Sequence, residues 1–228
     1  MKRPITTLFM LMSIDGKITS GFSDVLDADR DWKFVNGVKE GIHQYYDAEQ
    51  CTDLWSLNSG KVMAKVGMNE KERSSFRTPV SFVIIDNKPH LNEKGIEYLC
   101  SWLKQLVIVT TNKEHPAYAC KEDNLNIIYQ EEFDGKILLN DLTTLYHVDR
   151  LTIQSGGTMN GYFLRNKCFD YLDIFIAPIL IGGKDTSTLI DGDSITSVEE
   201  LHLLQGCKLI ESLTLKNSFV RLRYEVLK

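Results

Sequence analysis

At 228 residues, 43% of them hydrophobic, the chain is long enough to bury one substantial core, and no Pro-, Gly- or Ser-rich linker divides it. A net charge of −5 without any cluster of five or more basic residues excludes a general nucleic-acid binder. One domain over residues 1–228, with small molecules or another subunit as partners, is therefore expected.

In chain order, residues 5–12 form a buried-type strand, and Asp15-Gly16 gives the strongest turn signal of the N-terminal region. The apolar run Leu8 to Met12 is too short for a signal core. No stretch approaches the roughly 18–20 apolar residues that cross a bilayer, so a cytoplasmic location without membrane contact is expected. Trp32, Val35, Val38, Ile42 and Tyr45 recur every three to four residues, which predicts an amphipathic helix over 29–46 capped by Asp27 or Asp29. A strand over 52–57 leads into Asn58-Ser59-Gly60 and a short helical or loop piece to Val66. Residues 68–78 are polar and read as an exposed loop.

A strand over 80–85 ends at Asp86-Asn87-Lys88-Pro89; a helix over 93–103 and a strand over 106–109 follow, the latter ending at Thr110-Thr111-Asn112-Lys113. Another strand covers 125–129, and a helix covers 137–146. The strand 151–154 then turns through Gly156-Gly157 into a short helix with Met159, Tyr162 and Phe163 on one face. The strand 172–177 stops at Pro178 and reaches a second pair, Gly182-Gly183. Residues 208–216 and 219–226 form a hairpin turning at Asn217-Ser218. Strands alternating with helices imply crossovers, so the fold expected is α/β, three-layer α/β/α, with a mostly parallel mixed sheet and a C-terminal antiparallel hairpin.

Five cysteines with no C-x-x-C pair suggest reduced thiols, and five scattered histidines give no zinc-type spacing, so no metal is expected. The informative chemistry lies at 154–160. A strand feeding a glycine turn and a helix start offers free backbone N–H groups and the positive end of a helix dipole, which suits a phosphate. Glycine there lets a ligand backbone approach the amides and permits positive φ. The spacing Gly-x-Gly-x-x-Gly is absent, so that dinucleotide fingerprint does not apply. In an open α/β sheet ligands bind at the carboxyl ends of the strands, which places Ser13 to Lys17, Asn58 to Gly60, Asn87-Lys88, Thr111 to Lys113, Gln154 to Asn160 and Gly182-Gly183 among the candidates.

Gly156-Gly157-Thr158-Met159-Asn160-Gly161, Leu164 through Asp170, Ile176-Ala177-Pro178 with Gly182-Gly183-Lys184, Leu189-Ile190-Asp191-Gly192 and Met12-Ser13-Ile14-Asp15-Gly16-Lys17-Ile18 together carry a resemblance. The chain resembles the reductase domain of riboflavin biosynthesis, the 5-amino-6-(5-phosphoribosylamino)uracil reductase family, which has the dihydrofolate reductase-like fold. The resemblance is tight over 8–20 and 151–192 and loose over 21–80. It implies NADPH, with the pyrophosphate on Gly156, Gly157 and Thr158, flanked by Gln154, Ser155, Met159, Asn160, Gly182 and Gly183. It also implies Lys88, Thr111, Asn112 or Lys113 toward the 2′-phosphate.

Ser13, Asp15 and Lys17 become candidates for the catalytic pocket, Asp15 and Lys17 being the best suited to orient substrate or relay a proton, and a homodimer is implied. Glu49, Asn58, Lys61 and Gln154 depart from the family's pattern. Glu49 stands where the family has an arginine for the ribose phosphate, and Gln154 stands where it has a glutamate. The rival expectations are a reductase of a different small substrate and a non-catalytic protein that binds NADP.

Overall fold

The computed structural model describes residues 2–228. Its strands are β1 (Ile5–Ser13), β2 (Trp55–Ser59), β3 (Ser81–Ile85), β4 (Gln105–Thr110), β5 (Leu125–Tyr129), β6 (Arg150–Ile153), β7 (Tyr171–Ala177), β8 (Cys207–Thr214) and β9 (Val220–Val226). Its α-helices are α1 (Ala28–Asp31), α2 (His43–Glu49), α3 (Gly60–Lys65), α4 (Glu93–Trp102), α5 (Gly135–Tyr146) and α6 (Gly157–Arg165). The chain is α/β and divides into two compact units: residues 53–155 with the stretch ending at Pro4, and residues 5–52 with 156–228. No helix among the described residues is long and apolar enough to cross a membrane.

In the first unit the strands run β5-β4-β3-β2-β6, with β2, β3 and β4 each parallel to its neighbours. Parallel strands covered by helices are buried on both faces and read as continuous apolar runs, as Leu106, Val107, Ile108 and Val109 do. The amphipathic α4 presents Ile96, Leu99 and Cys100 to the same core as Ile84, Leu106 and Ile108. Each such side chain contributes about 1.5–3 kcal/mol on burial. Asn92 caps α4 by accepting from the Gly95 N–H, and Asp134 caps α5. The strand expected over 52–57 starts later, at Trp55, and reaches Ser59, because pairing with β3 fixes its register from Trp55↔Ser81 to Ser59↔Ile85. Met68, at the head of the expected exposed loop, is instead buried in the core, in a short 3₁₀ turn entered through left-handed Gly67.

The second unit has the order β1-β7-β9-β8, with β1 parallel to β7 and the last two pairings antiparallel. The expected helix over 29–46 is broken into α1, a 3₁₀ turn over Trp32–Phe34 and α2. Val35 is extended and Gly37 has φ +85°, which a continuous helix cannot accommodate. The apolar spacing nonetheless marked the core: Trp32, Val38, Ile42 and Tyr45 are buried with Phe9, Phe175 and Phe219, while Val35 is exposed.

The hairpin turns through Lys216–Ser218, with Asn217 (φ 56°) and Ser218 (φ 63°) both left-handed. Asn217 is anchored by its side-chain amide donating to the Glu40 carbonyl at 2.6 Å, whereas Ser218 is exposed. Ser218→Gly removes left-handed strain from a residue with a Cβ and should raise stability by about 0.5 kcal/mol in urea unfolding.

Candidate active site

In the second unit the ends of β1 and β7 lie side by side, Ser13 opposite Ala177, so the turns that follow them meet. The Ser13 hydroxyl donates to Asp15 Oδ1 at 2.6 Å and accepts the Lys17 N–H at 2.8 Å. Asp15 also accepts from the Ile181 N–H (3.1 Å) and the Gly182 N–H (2.6 Å). The Lys17 ammonium is buried and donates to the Thr186 carbonyl at 2.8 Å, and Lys17 bridges to Thr188. The turn 13–17 thereby holds the connection 181–189 against the end of β1. Gly16, Gly182 and Gly183 all have positive φ, so glycine is required there by conformation.

The same connection then packs on α6. The Asp191 N–H donates to the Gly157 carbonyl at 2.9 Å, and the Asn160 side-chain amide donates to the Leu189 carbonyl at 2.8 Å. A Cβ on Gly157 would strike the Asp191 carboxylate and the Thr188 carbonyl, and one on Gly161 would strike the Asp191 carbonyl. Gly156 differs. It is the N-cap, extended at φ −72°, caps with no side chain, and a Cβ there would meet nothing within 4 Å. The need for positive φ expected at this pair therefore lies at Gly182-Gly183, not at Gly156. Thr158 is exposed and Met159 half-buried on the first turn of the helix. One acidic group, Asp191, stands beside this helix start, its carboxylate bonded to the Thr188 hydroxyl (2.5 Å) and N–H (3.1 Å).

These contacts give several of the expected residues a part in the local fold. The Ser13 hydroxyl, then the Gly182 and Ile181 amides, pull the Asp15 carboxyl down to about 2 against a smaller opposing effect of burial. Asp15 is thus held as a carboxylate at neutral pH, fixed in place by the turn and the connection it bonds. Lys17 turns inward as a clamp on residues 184–189, Asn160 is wholly buried as a clamp on Leu189, and the Gly182 amide donates to Asp15. Thr186, Thr188 and Asp191 were missed as organisers of this region. Their signal was the Gly157/Gly161 spacing of four, which puts two bare positions on one helix face.

A depressed carboxyl adds stability that is fully present above its ordinary value of 3.8 and is lost as pH falls through about 2. Asp15→Asn should cost about 1 kcal/mol at pH 7 once the exposure of the site is discounted. The gap between variant and wild type in chemical denaturation should close as pH drops from about 4 to about 2.

In the first unit the ends of β3 and β4 carry Asn87, Lys88, Thr111 and Asn112. Asn87 Oδ1 accepts the Thr111 N–H at 3.1 Å, the Thr110 hydroxyl accepts the Asn112 N–H at 3.1 Å, and Asn112 Oδ1 accepts the Glu114 N–H at 2.8 Å. Lys88 is exposed, and Lys113 lies 5.4 Å over the Tyr129 ring. Two of the departing residues are linked: Asn58 Nδ2 donates to the Ser56 hydroxyl (3.0 Å), which donates to Gln154 Oε1 (3.0 Å). Ser155 is buried.

The sequence model of the RibD C-terminal domain matches residues 4–220. The chain belongs to the RibD C-terminal domain family. A relative in Methanothermobacter thermautotrophicus, 2,5-diamino-6-ribosylamino-4(3H)-pyrimidinone 5′-phosphate reductase, is 34% identical over 210 residues, covering 87% of this chain and 88% of that protein. The riboflavin biosynthesis reductase of Saccharomyces cerevisiae superposes with a TM-score of 0.61 at 16% identity over 99% of this chain and 90% of that one. Dihydrofolate reductase from Enterococcus faecalis superposes at 0.51 with 7% identity over 98% and 97% of the two chains, which places the RibD family member in the dihydrofolate reductase-like fold. RibD from Acinetobacter baumannii superposes at 0.68 with 16% identity over 99% of this chain, and the chain spans 59% of that longer protein.

Proposed function

We propose that the chain is an NADPH-dependent reductase of the riboflavin-biosynthesis pyrimidine reductase type, built as one reductase domain. The observation that carries this reading is the start of α6: an N-terminal turn capped by a glycine with open space where its Cβ would stand. A nine-residue helix whose first amides are approached past a bare Cα fits a diphosphate, because unpaired N–H groups and the helix dipole both favour an anion. Gly156, Gly157, Thr158 and Met159 would hold the pyrophosphate by their backbone.

Lys88, Thr111 and Asn112 are the residues of the first unit proposed for the 2′-phosphate. A charge-assisted hydrogen bond contributes about 1.5–3 kcal/mol, so two of them would favour NADPH over NADH by at least about a hundredfold. When bound, the nicotinamide supplies the hydride. What the protein adds is positioning more than acid–base power. Ser13, Asp15 and Lys17 do this by fixing the connection that carries Thr186, Thr188 and Asp191 against α6.

The named relative from Methanothermobacter supports a ribosylaminopyrimidinone phosphate as substrate. A second reading, a reductase of another small molecule, is favoured by the chain from Asn58 through Ser56 to Gln154, which puts neutral amides where the family has other groups. We further propose a homodimer, supported by β8, an eight-residue edge strand that leaves Leu209, Ile210 and Leu213 exposed.

Titration with NADPH, read by the fluorescence of Trp32, Trp55 and Trp102, followed by turnover with the ribosylaminopyrimidinone phosphate tests the reading. Saturable binding with NADPH oxidation is expected. Binding without oxidation of NADPH would overturn the pyrimidine reductase assignment, and no binding would overturn the cofactor assignment. Rescue of a strain lacking the riboflavin reductase separates the first reading from the second.

A further inference from the structure

The least expected cluster in the molecule is at the end of β3, where the side chain of Asp86 is wholly buried. Its carboxylate accepts the His90 ring Nδ1–H at 2.9 Å, the His90 N–H at 3.1 Å, the Leu91 N–H at 3.0 Å and the His115 ring Nε2–H at 3.1 Å. His115 is equally buried, and its Nδ1 accepts the Ala117 N–H at 3.1 Å. That bond assigns the imidazole tautomer: Nδ1 is the acceptor, so Nε2 carries the proton and points it at Asp86. The Asp86 backbone is committed as well, its N–H to the Val109 carbonyl and its carbonyl to the Thr110 hydroxyl. Gly60 presses on the carboxylate so closely that a Cβ would collide with it.

Burial alone would push the Asp86 carboxyl up, but the hydrogen bonds from His115, Leu91 and His90 outweigh it and hold the group below its ordinary range. A buried carboxylate costs several kcal/mol in desolvation, and apolar side chains of similar size would fill such a space at lower cost. What it gains here is geometry. Asp86 bonds forward to residues 90 and 91 and across to residues 110 and 115, and so locks two loops to each other. Those loops carry Asn87 with Lys88 and Thr111 with Asn112, and they are joined again by the Asn87–Thr111 hydrogen bond.

We propose that Asp86, with His90 and His115, is a positioning device that holds the loops 86–91 and 110–117 preformed for the adenosine 2′-phosphate and thereby sets the preference for NADPH over NADH. This rests on the cofactor reading above. None of the three needs to touch the nucleotide; they act through Lys88, Thr111 and Asn112.

The test measures dissociation constants of NADPH, NADH and 2′,5′-ADP for the full chain and for Asp86→Asn, His115→Leu, His115→Gln and His90→Ala. Small misplacements far from the chemistry are amplified, so Asp86→Asn and His115→Leu should weaken NADPH and 2′,5′-ADP by about 10- to 100-fold while NADH changes less than about threefold. His115→Gln keeps a donor toward Asp86 and should stay within about threefold of wild type for all three. Should the two buried variants fail to fold, the half-exposed His90 supplies the readout, with a selective loss of NADPH and 2′,5′-ADP affinity expected for His90→Ala. Equal losses for NADPH and NADH, or wild-type affinities in folded variants, overturn the inference and leave the cofactor reading intact. A wild-type protein that binds none of the three nucleotides overturns both.

Discussion

Gly161→Ala should destabilise the protein by about 2–4 kcal/mol, a large effect for adding one methyl group. Alanine is intrinsically the better helix former by about 1 kcal/mol, so propensity alone predicts the opposite sign. The steric term decides. The Cβ would stand on the Asp191 carbonyl, which is backbone and cannot rotate aside. The Asp191 N–H is bonded to the Gly157 carbonyl, its carboxylate to Thr188, and Leu189 to Asn160, so the segment leading into the collision is pinned. Overpacking of this kind costs about 1–3 kcal/mol and more where neighbours cannot yield.

Gly156→Ala is the control. It has open space and an ordinary φ, so it should stay within about 0.5 kcal/mol of wild type. Urea midpoints for the two variants decide the matter. Equal midpoints would mean that residues 188–191 do not rest on α6, and the arrangement of the site would fall with them.

That contrast also shows what the sequence could reveal. β4 and α4 were legible within a residue or so, because the unbroken run Leu106 to Val109 and a clean three-to-four spacing each admit one element. The glycines at 156 and 157 were visible as a phosphate-type turn, but their separate reasons, and that of Gly161, were not. Gly157 and Gly161 answer to a segment about thirty residues later, whereas Gly156 answers to no protein atom at all. The break at Gly37 was hidden because the apolar stripe from Trp32 to Tyr45 serves a folded-back segment as well as it serves a helix.

The contacts of Asp15, Lys17 and Asn160 with residues 181–189 were hidden for one reason: a polar residue at a strand end or helix start is equally suited to a ligand or to a neighbouring loop. Only tertiary contact distinguishes the two. Asp86 was passed over altogether because its partner His115 stands 29 positions away, and nothing in local pattern joins them.

Gly156→Asp should move stability and cofactor affinity in opposite directions. Aspartate is a favoured N-cap, its carboxylate can accept from the second or third amide of α6, and its negative charge is attracted by the positive end of the helix dipole. The position is exposed to no collision and already has extended backbone, so a gain of about 0.5–1 kcal/mol in folding stability is expected. The same carboxylate would occupy the amides proposed for the pyrophosphate and add a negative charge beside it. Two unit charges about 4 Å apart at an effective dielectric near 20 repel by about 4 kcal/mol, so even half of that weakens NADPH by more than about tenfold, and loss of the amide contacts takes the total past about a hundredfold. A variant with a raised urea midpoint and lost NADPH binding would locate the diphosphate at this helix start. A variant that binds NADPH as tightly as wild type would remove α6 from the cofactor site, whatever its stability.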